Sequence, residues 1–377
     1  MAPTSRPKRI VLCADGTWNE AERIDPTTGR PQPTNVLKTA RAVLPYAGDG
    51  VTQVVYYHYG VGTGGGVDEL TGGAFGDGIE LNVRQLYRFL VYNYQPGDDI
   101  YLFGFSRGAF TVRTLAGFMK KVGLLQKDDE YYTPNVFQLY AKRTPEDSAE
   151  WKEAIGKVDA RPCPSIRFIG VWDTVGALGA PGFLGQVLNR DKYKFHDVDL
   201  NEYIQNAFHA LAIDEQRKPF APTLWKRPDG WDGHLEQVWF PGVHSNVGGS
   251  YSPDGLANEA LQWMVEKAES LGLRFDERYL SFYKPCFNSR LNDSMSPMYR
   301  VMGPYVRPIG ERLADGEAIH KCALDRMRMA ECDYHPSNVR DALSRNPAIP
   351  VASTTRVGRD QLCEPTQGSS QRCLGAE

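Results

Sequence analysis

Tyr101-Leu-Phe-Gly-Phe-Ser-Arg-Gly-Ala-Phe110 decides how the chain is read. An apolar run, Ile100 to Phe103, enters Gly104-Phe105-Ser106-Arg107-Gly108, and a helical pattern (Phe110, Leu115, Phe118, Met119) leaves it. Strand, sharp turn and helix in that order form a nucleophile elbow: the serine takes a strained backbone conformation that lifts its hydroxyl over the end of a sheet. The two flanking glycines let strand and helix backbones approach closely. The pentapeptide alone also fits a glycine-rich turn whose serine caps a helix, so the other segments must decide.

Outward from the elbow, five apolar, β-rich segments cover 9–14, 52–59, 99–103, 165–172 and 235–240, each ending in a polar or Gly-containing loop. Amphipathic helical patterns cover 79–94, the stretch after Ser106, and 255–271. Near-continuously apolar strands alternating with helices predict an α/β fold with a mostly parallel sheet covered on both faces, a three-layer sandwich. In such sheets the site lies at the carboxyl ends of the strands.

The loops at those ends carry the expected chemistry. They are Asp15-Gly16-Thr17-Trp18-Asn19, Gly60–Gly66, the elbow, Asp173-Thr174-Val175-Gly176, and Pro241-Gly242-Val243-His244-Ser245-Asn246. Three of them supply a Ser, an Asp and a His, the chain order in which α/β-hydrolases present a catalytic triad. Ser106 is the expected nucleophile, His244 the general base and then acid, and Asp173 the carboxylate that orients His244. The expected oxyanion hole combines the backbone N–H of Arg107 with one from Gly16 or Thr17. Two other carboxylates compete with Asp173: Asp214, in a 209–217 stretch with a helical pattern, and Asp254, which follows His244 and breaks the usual order.

Asp15-Gly16-Thr17 also looks like half of a phosphatase motif, but the nucleophilic aspartate two positions earlier is replaced by Cys13. Gly60–Gly66 lacks the Gly-Lys-Ser/Thr of a nucleotide loop and reads as a rim of the pocket.

The 377 residues are 41% hydrophobic and 24% charged, with a formal net charge of −3, which excludes bulk attraction to nucleic acid. No stretch reads as a signal peptide or membrane span, so a cytoplasmic protein touching lipid only peripherally is expected. Seven scattered cysteines without C-x-x-C spacing suggest reduced thiols and no metal, and no cofactor is called for. One domain is expected over 1–345, with 177–234, rich in aromatics, as a lid or pocket wall; the polar stretch 346–377 reads as a disordered tail.

Together with the elbow, Asp15–Asn19, Val171-Trp-Asp-Thr-Val175 and Trp239-Phe-Pro-Gly-Val-His-Ser-Asn-Val-Gly-Gly249 make the chain similar to a known family. It resembles the α/β-hydrolase domain of type VI secretion phospholipase effectors and their fungal and bacterial relatives, including stand-alone members, long catalogued as a domain of unknown function. Further matching stretches are Pro33-Thr-Asn-Val36, Ala210–Glu215, and Ile319-His320 with Arg326, Tyr334 and Pro336. The resemblance assigns the triad to the same Ser106, Asp173 and His244. It implies a serine esterase or lipase, of phospholipase A type, acting on a lipid ester through an acyl-enzyme. A small-ester carboxylesterase and a non-catalytic binding protein on the same fold are the alternatives. Two positions beside the histidine depart from the family pattern: Asn246, where Asp is frequent, and Ser250, where Gly is frequent.

Overall fold

The computed structural model describes residues 7–16, 24–25, 29, 31–60, 74–176 and 199–356. Thr17, most of the 60–66 loop, 177–198 of the expected pocket wall, and 357–377 of the expected tail lie outside the described residues. Eight strands form one sheet: β1 (Arg9–Ala14), β2 (Gln53–His58), β3 (Asp99–Phe105), β4 (Ile166–Trp172), β5 (Asn206–Ala212), β6 (His234–Phe240), β7 (Glu317–His320) and β8 (Val351–Ala352). Their spatial order is β2-β1-β3-β4-β5-β6-β7-β8, and every adjacent pairing is parallel.

Side chains along each strand divide between two cores. Ile10, Leu12, Ile100 and Leu102 face helices α2 (Ala74–Asn93) and α3 (Arg107–Val122). Val11, Cys13, Tyr101, Phe103 and Phe105 face the layer of α1 (Asn35–Ala42) and α4 (Gly255–Ser270). Both faces of the sheet are therefore buried, which explains why the strands read as continuous apolar runs.

The chain runs from β1 out to β2 and then crosses β1 to β3, so the sheet order reverses between β1 and β3. In parallel sheets a site lies at such a reversal, beyond the carboxyl ends of the two strands. The end of β1 lies against the elbow: a Cβ on Gly108 would stand 2.0 Å from the Ala14 carbonyl oxygen, and one on Gly104 would stand 2.6 Å from the Ala109 Cα. Neither neighbour can yield, because both are backbone. Gly108→Ala is expected to cost about 3 kcal/mol or more of stability, read as a lowered urea midpoint; an unchanged midpoint would remove the close approach from the account.

The 177–234 segment read as a lid or pocket wall contains β5, a strand in the interior of the sheet, and the 209–217 stretch read as helical begins with the last four residues of that strand. Its Asn-Ala-Phe-His-Ala-Leu-Ala composition has little β-branching, and six of its seven residues are buried, so neither propensity nor alternation marks it. Residues 351–356, inside the expected tail, are tied to the fold. Val351–Ala352 pairs with Ile319 and His320, and the Arg356 backbone N–H donates to Glu266 at 2.9 Å. Cys13, Cys163, Cys322 and Cys332 are free thiols, but Cys286 is disulfide-bonded, which departs from the expectation of reduced cysteines throughout.

Candidate active site

Ser106 sits between β3 and α3 with φ 58° and ψ −118°, a left-handed conformation that non-glycine residues rarely take. Its backbone N–H donates to the Trp172 carbonyl at 3.1 Å, tying the elbow to the end of β4. One residue beyond that end is Asp173, itself held at φ 39°. The strain at both residues lies at the carboxyl edge of the sheet, where the fold places a site.

Asp173 is fully buried and engaged on both oxygens. Its Oδ2 lies 2.6 Å from His244 Nδ1, and Oδ1 accepts from the Ala212 backbone N–H at 3.0 Å. The Arg307 guanidinium grips both oxygens, Nη1 to Oδ1 at 2.6 Å and Nη2 to Oδ2 at 3.0 Å. Burial alone would raise the carboxyl; the Arg307 charge and the His244 hydrogen bond outweigh it and hold Asp173 well below the usual carboxylate range. His244 moves down from its ordinary value because burial outweighs its bond to Asp173. At neutral pH the pair is a carboxylate and a neutral imidazole whose Nε2 is left to accept a proton.

Arg307 did not stand out in the sequence. It is buried, and besides gripping Asp173 it donates to the carbonyls of Ala212 at 2.8 Å and Phe220 at 2.6 Å. The ring of Phe220 packs edge-on against His244 with centroids 5.1 Å apart, and Phe105, the residue before the elbow serine, lies 4.6 Å from the same imidazole. Among the aromatics of 177–234, Phe220 touches the site, whereas Phe208 and Trp225 are core residues.

The competing carboxylates have other duties. Asp214 accepts from the Gly242 N–H at 2.6 Å and the Tyr334 hydroxyl at 2.8 Å, bracing the turn before His244; burial pushes its carboxyl up to about 6. Asp254 pairs with the buried Lys38 ammonium at 2.7 Å. Glu215, also not singled out in the sequence, accepts the His244 backbone N–H at 3.2 Å while paired with Arg217.

The loop after β1 is less simple than expected. The Gly16 N–H donates to Asp15 Oδ1 at 2.7 Å, so in this geometry it is committed to a neighbouring carboxylate, and Asp15 also accepts from Thr34 and Tyr57. The Arg107 N–H belongs to the first turn of α3, where backbone donors have no intrahelical acceptor.

A model of one protein family matches residues 8–267: the catalytic domain of Tle1-like phospholipase effectors of the type VI secretion system (T6SS). The chain belongs to that family. It is a family of lipid-ester hydrolases by description, and the matched span contains Ser106, Asp173 and His244. A Saccharomyces cerevisiae protein, uncharacterized protein YEL023C, is 30% identical over 240 residues, which is 58% of this chain and 32% of the relative; the chain thus aligns with about a third of that relative's length. Among solved structures, an uncharacterized protein from Pseudomonas aeruginosa is similar over 78% of this chain and 48% of its own, at 18% identity and a TM-score of 0.45. The Tle1 effector bound to the VgrG spike of the T6SS is similar over 65% and 51%, at 19% identity and a TM-score of 0.39.

One of the family-like stretches is tied to the segment that carries His244. Asn35 of Pro33-Thr-Asn-Val36 donates to the carbonyls of Val247 and Ala257, tying α1 to the histidine segment. Of the two departures from the family pattern, Asn246 has a local reason and Ser250 has none. Asn246 donates through Nδ2 to Asn292 Oδ1 at 3.0 Å and accepts the Asn292 N–H at 3.1 Å, a pair of bonds that needs an amide. Ser250 holds φ 76°, a conformation glycine adopts at less cost.

Proposed function

We propose that the protein is a serine hydrolase that cleaves the acyl ester of a lipid, a glycerophospholipid in the first instance, through an acyl-enzyme. Ser106 Oγ attacks the ester carbonyl while its proton passes to His244 Nε2. Asp173 keeps the imidazole in the Nδ1–H tautomer and stabilises the cation that forms. The oxyanion is held by the Arg107 N–H and by an N–H of the loop after β1, Gly16 or Thr17; Gly16 serves only by releasing Asp15. Collapse of the tetrahedral intermediate expels the alcohol, which takes the proton from His244. Water then repeats the sequence and frees the acid. No metal or cofactor enters the scheme.

The observation that carries this reading is the 2.6 Å bond from His244 to a buried, ionised Asp173 in the row of strand ends that begins with the elbow serine. Family membership supports the lipid-ester class. Among the described residues no helix is long and apolar enough to cross a membrane.

The direct test is covalent labelling by a fluorophosphonate, with the adduct located by peptide mass. Labelling at Ser106 is expected, with none in Ser106→Ala. The labelling rate should fall as pH drops through the His244 pKa, which lies below the ordinary imidazole value because burial favours the neutral ring. A folded sample that takes no label at any pH would favour the non-catalytic binding protein. Phosphatidyl substrates in vesicles compared with short soluble esters then separate a lipase from a small-ester carboxylesterase.

A further inference from the structure

At the opposite side of β6 from Asp173, the end of β7 turns into helix α5 (Lys321–Arg328) through His320, which caps that helix. Two residues on is Cys322, and Glu259 of α4 faces both. One ligand atom from each of Glu259, His320 and Cys322 lies within 4.8 Å of the other two. His320 and Cys322 are buried, and Glu259 is half-buried. Cys322 is a free thiol.

We infer that Glu259, His320 and Cys322 form a site for a divalent transition-metal ion, zinc by ligand type. His320 is already oriented as a ligand. Its Nδ1 accepts the Cys322 N–H at a long 3.3 Å, so the lone pair is on Nδ1 and points into the turn that carries the thiol. The proton is then on Nε2, which donates to Thr354 Oγ1 at 3.1 Å, the outer hydrogen bond that fixes the tautomer of a metal-binding histidine. The Phe240 ring stacks on the imidazole at 4.5 Å and fixes its plane.

The charges suit a dication. The free Cys322 thiol lies beside the Glu259 carboxylate. Entry of M²⁺ displaces the Cys322 N–H from His320 Nδ1 and the thiol proton to solvent, and forms the metal–nitrogen and metal–sulfur bonds. A thiolate, a carboxylate and a neutral imidazole then leave the buried complex with no net charge. One nitrogen, one sulfur and one oxygen ligand match zinc's preferences, and water completes a four-coordinate shell. The ion would clamp α4, β7 and α5 together beside the strand that leads to His244.

The test uses the full chain stripped with a chelator and titrated with cobalt(II) and zinc(II) alone. One equivalent of cobalt is expected to give a thiolate-to-metal charge-transfer band, and zinc should displace it and raise the melting temperature. Cys322→Ser should abolish the band. Glu259→Gln, at the half-buried position where folding is least at risk, should weaken zinc binding by tenfold or more. The absence of a band in the wild type, its persistence in Cys322→Ser, or zinc affinity unchanged in Glu259→Gln would overturn the assignment. Ester hydrolysis by both variants reports folding independently of metal.

Discussion

Asp173→Asn is expected to lower kcat on a lipid ester by about 10⁴ and, in the same protein, to cost about 3 to 5 kcal/mol of stability. The first loss is chemical. An amide no longer stabilises the imidazolium, and its NH₂ can hold His244 in the tautomer that has no lone pair for the Ser106 proton. The second loss is electrostatic. Arg307 is buried, and its charge is balanced by the Asp173 carboxylate through two short bonds; the amide leaves that guanidinium without an anion. Steady-state kinetics on the folded fraction and denaturant unfolding measure the two losses separately.

Asp214→Asn is the control. The Asp214 carboxyl, raised to about 6 by burial against an ordinary value near 4, is more protonated in the folded chain than in the unfolded one. Its contribution to stability is therefore complete at low pH and is lost as pH rises through about 6. An amide removes that pH dependence and changes kcat by less than about tenfold, as expected of a group that braces a turn. If Asp214→Asn proved the more damaging to kcat, the acid of the triad would have to be reassigned.

Ser106→Ala should be the cleaner lesion. Alanine bears a Cβ like serine, so the φ of 58° costs the same in both and the melting temperature should hardly move. The nucleophile is gone, however, and kcat should fall by 10⁴ or more, about the scale seen when a triad serine is removed. Hydrolysis of a phosphatidyl substrate in mixed micelles, with vesicle binding measured in parallel, distinguishes lost chemistry from lost docking. Retained turnover would end the acyl-enzyme scheme.

What the sequence made legible has a common physical basis. Five strands of the sheet and three of its helices are marked by apolar runs and helical periodicity, because both sheet faces are covered. The elbow and its two glycines are local, so a pentapeptide and its flanks suffice to read them. Asp173 and His244, which the structure brings within 2.6 Å, stand out by position, one residue past the end of β4 and four past the end of β6.

The unread parts depend on contacts remote along the chain or on weak propensities. β5 is alanine-rich and buried, so it looked helical. β7 and β8 have four and two residues and owe their place to neighbours. Arg307 lies 134 positions from the carboxylate it grips, in a segment without periodicity, and nothing about Tyr305-Val-Arg-Pro distinguishes it from a surface arginine. Glu215 is bound to the His244 backbone from 29 positions away and stood in the sequence only as the end of the family-like stretch Ala210–Glu215.

Arg307 holds the Phe220 carbonyl with the same nitrogen that reaches Asp173 Oδ2. The aromatic face against which the imidazole rests and the acid that orients it are therefore mechanically one part. Any displacement of the Phe220 segment would pull on the guanidinium that grips Asp173, so the contacts on the two sides of His244 are coupled. A change in the Phe220 segment would therefore be felt at the Asp173–His244 pair through Arg307, whereas changes at surfaces that Arg307 does not touch would leave that pair in place.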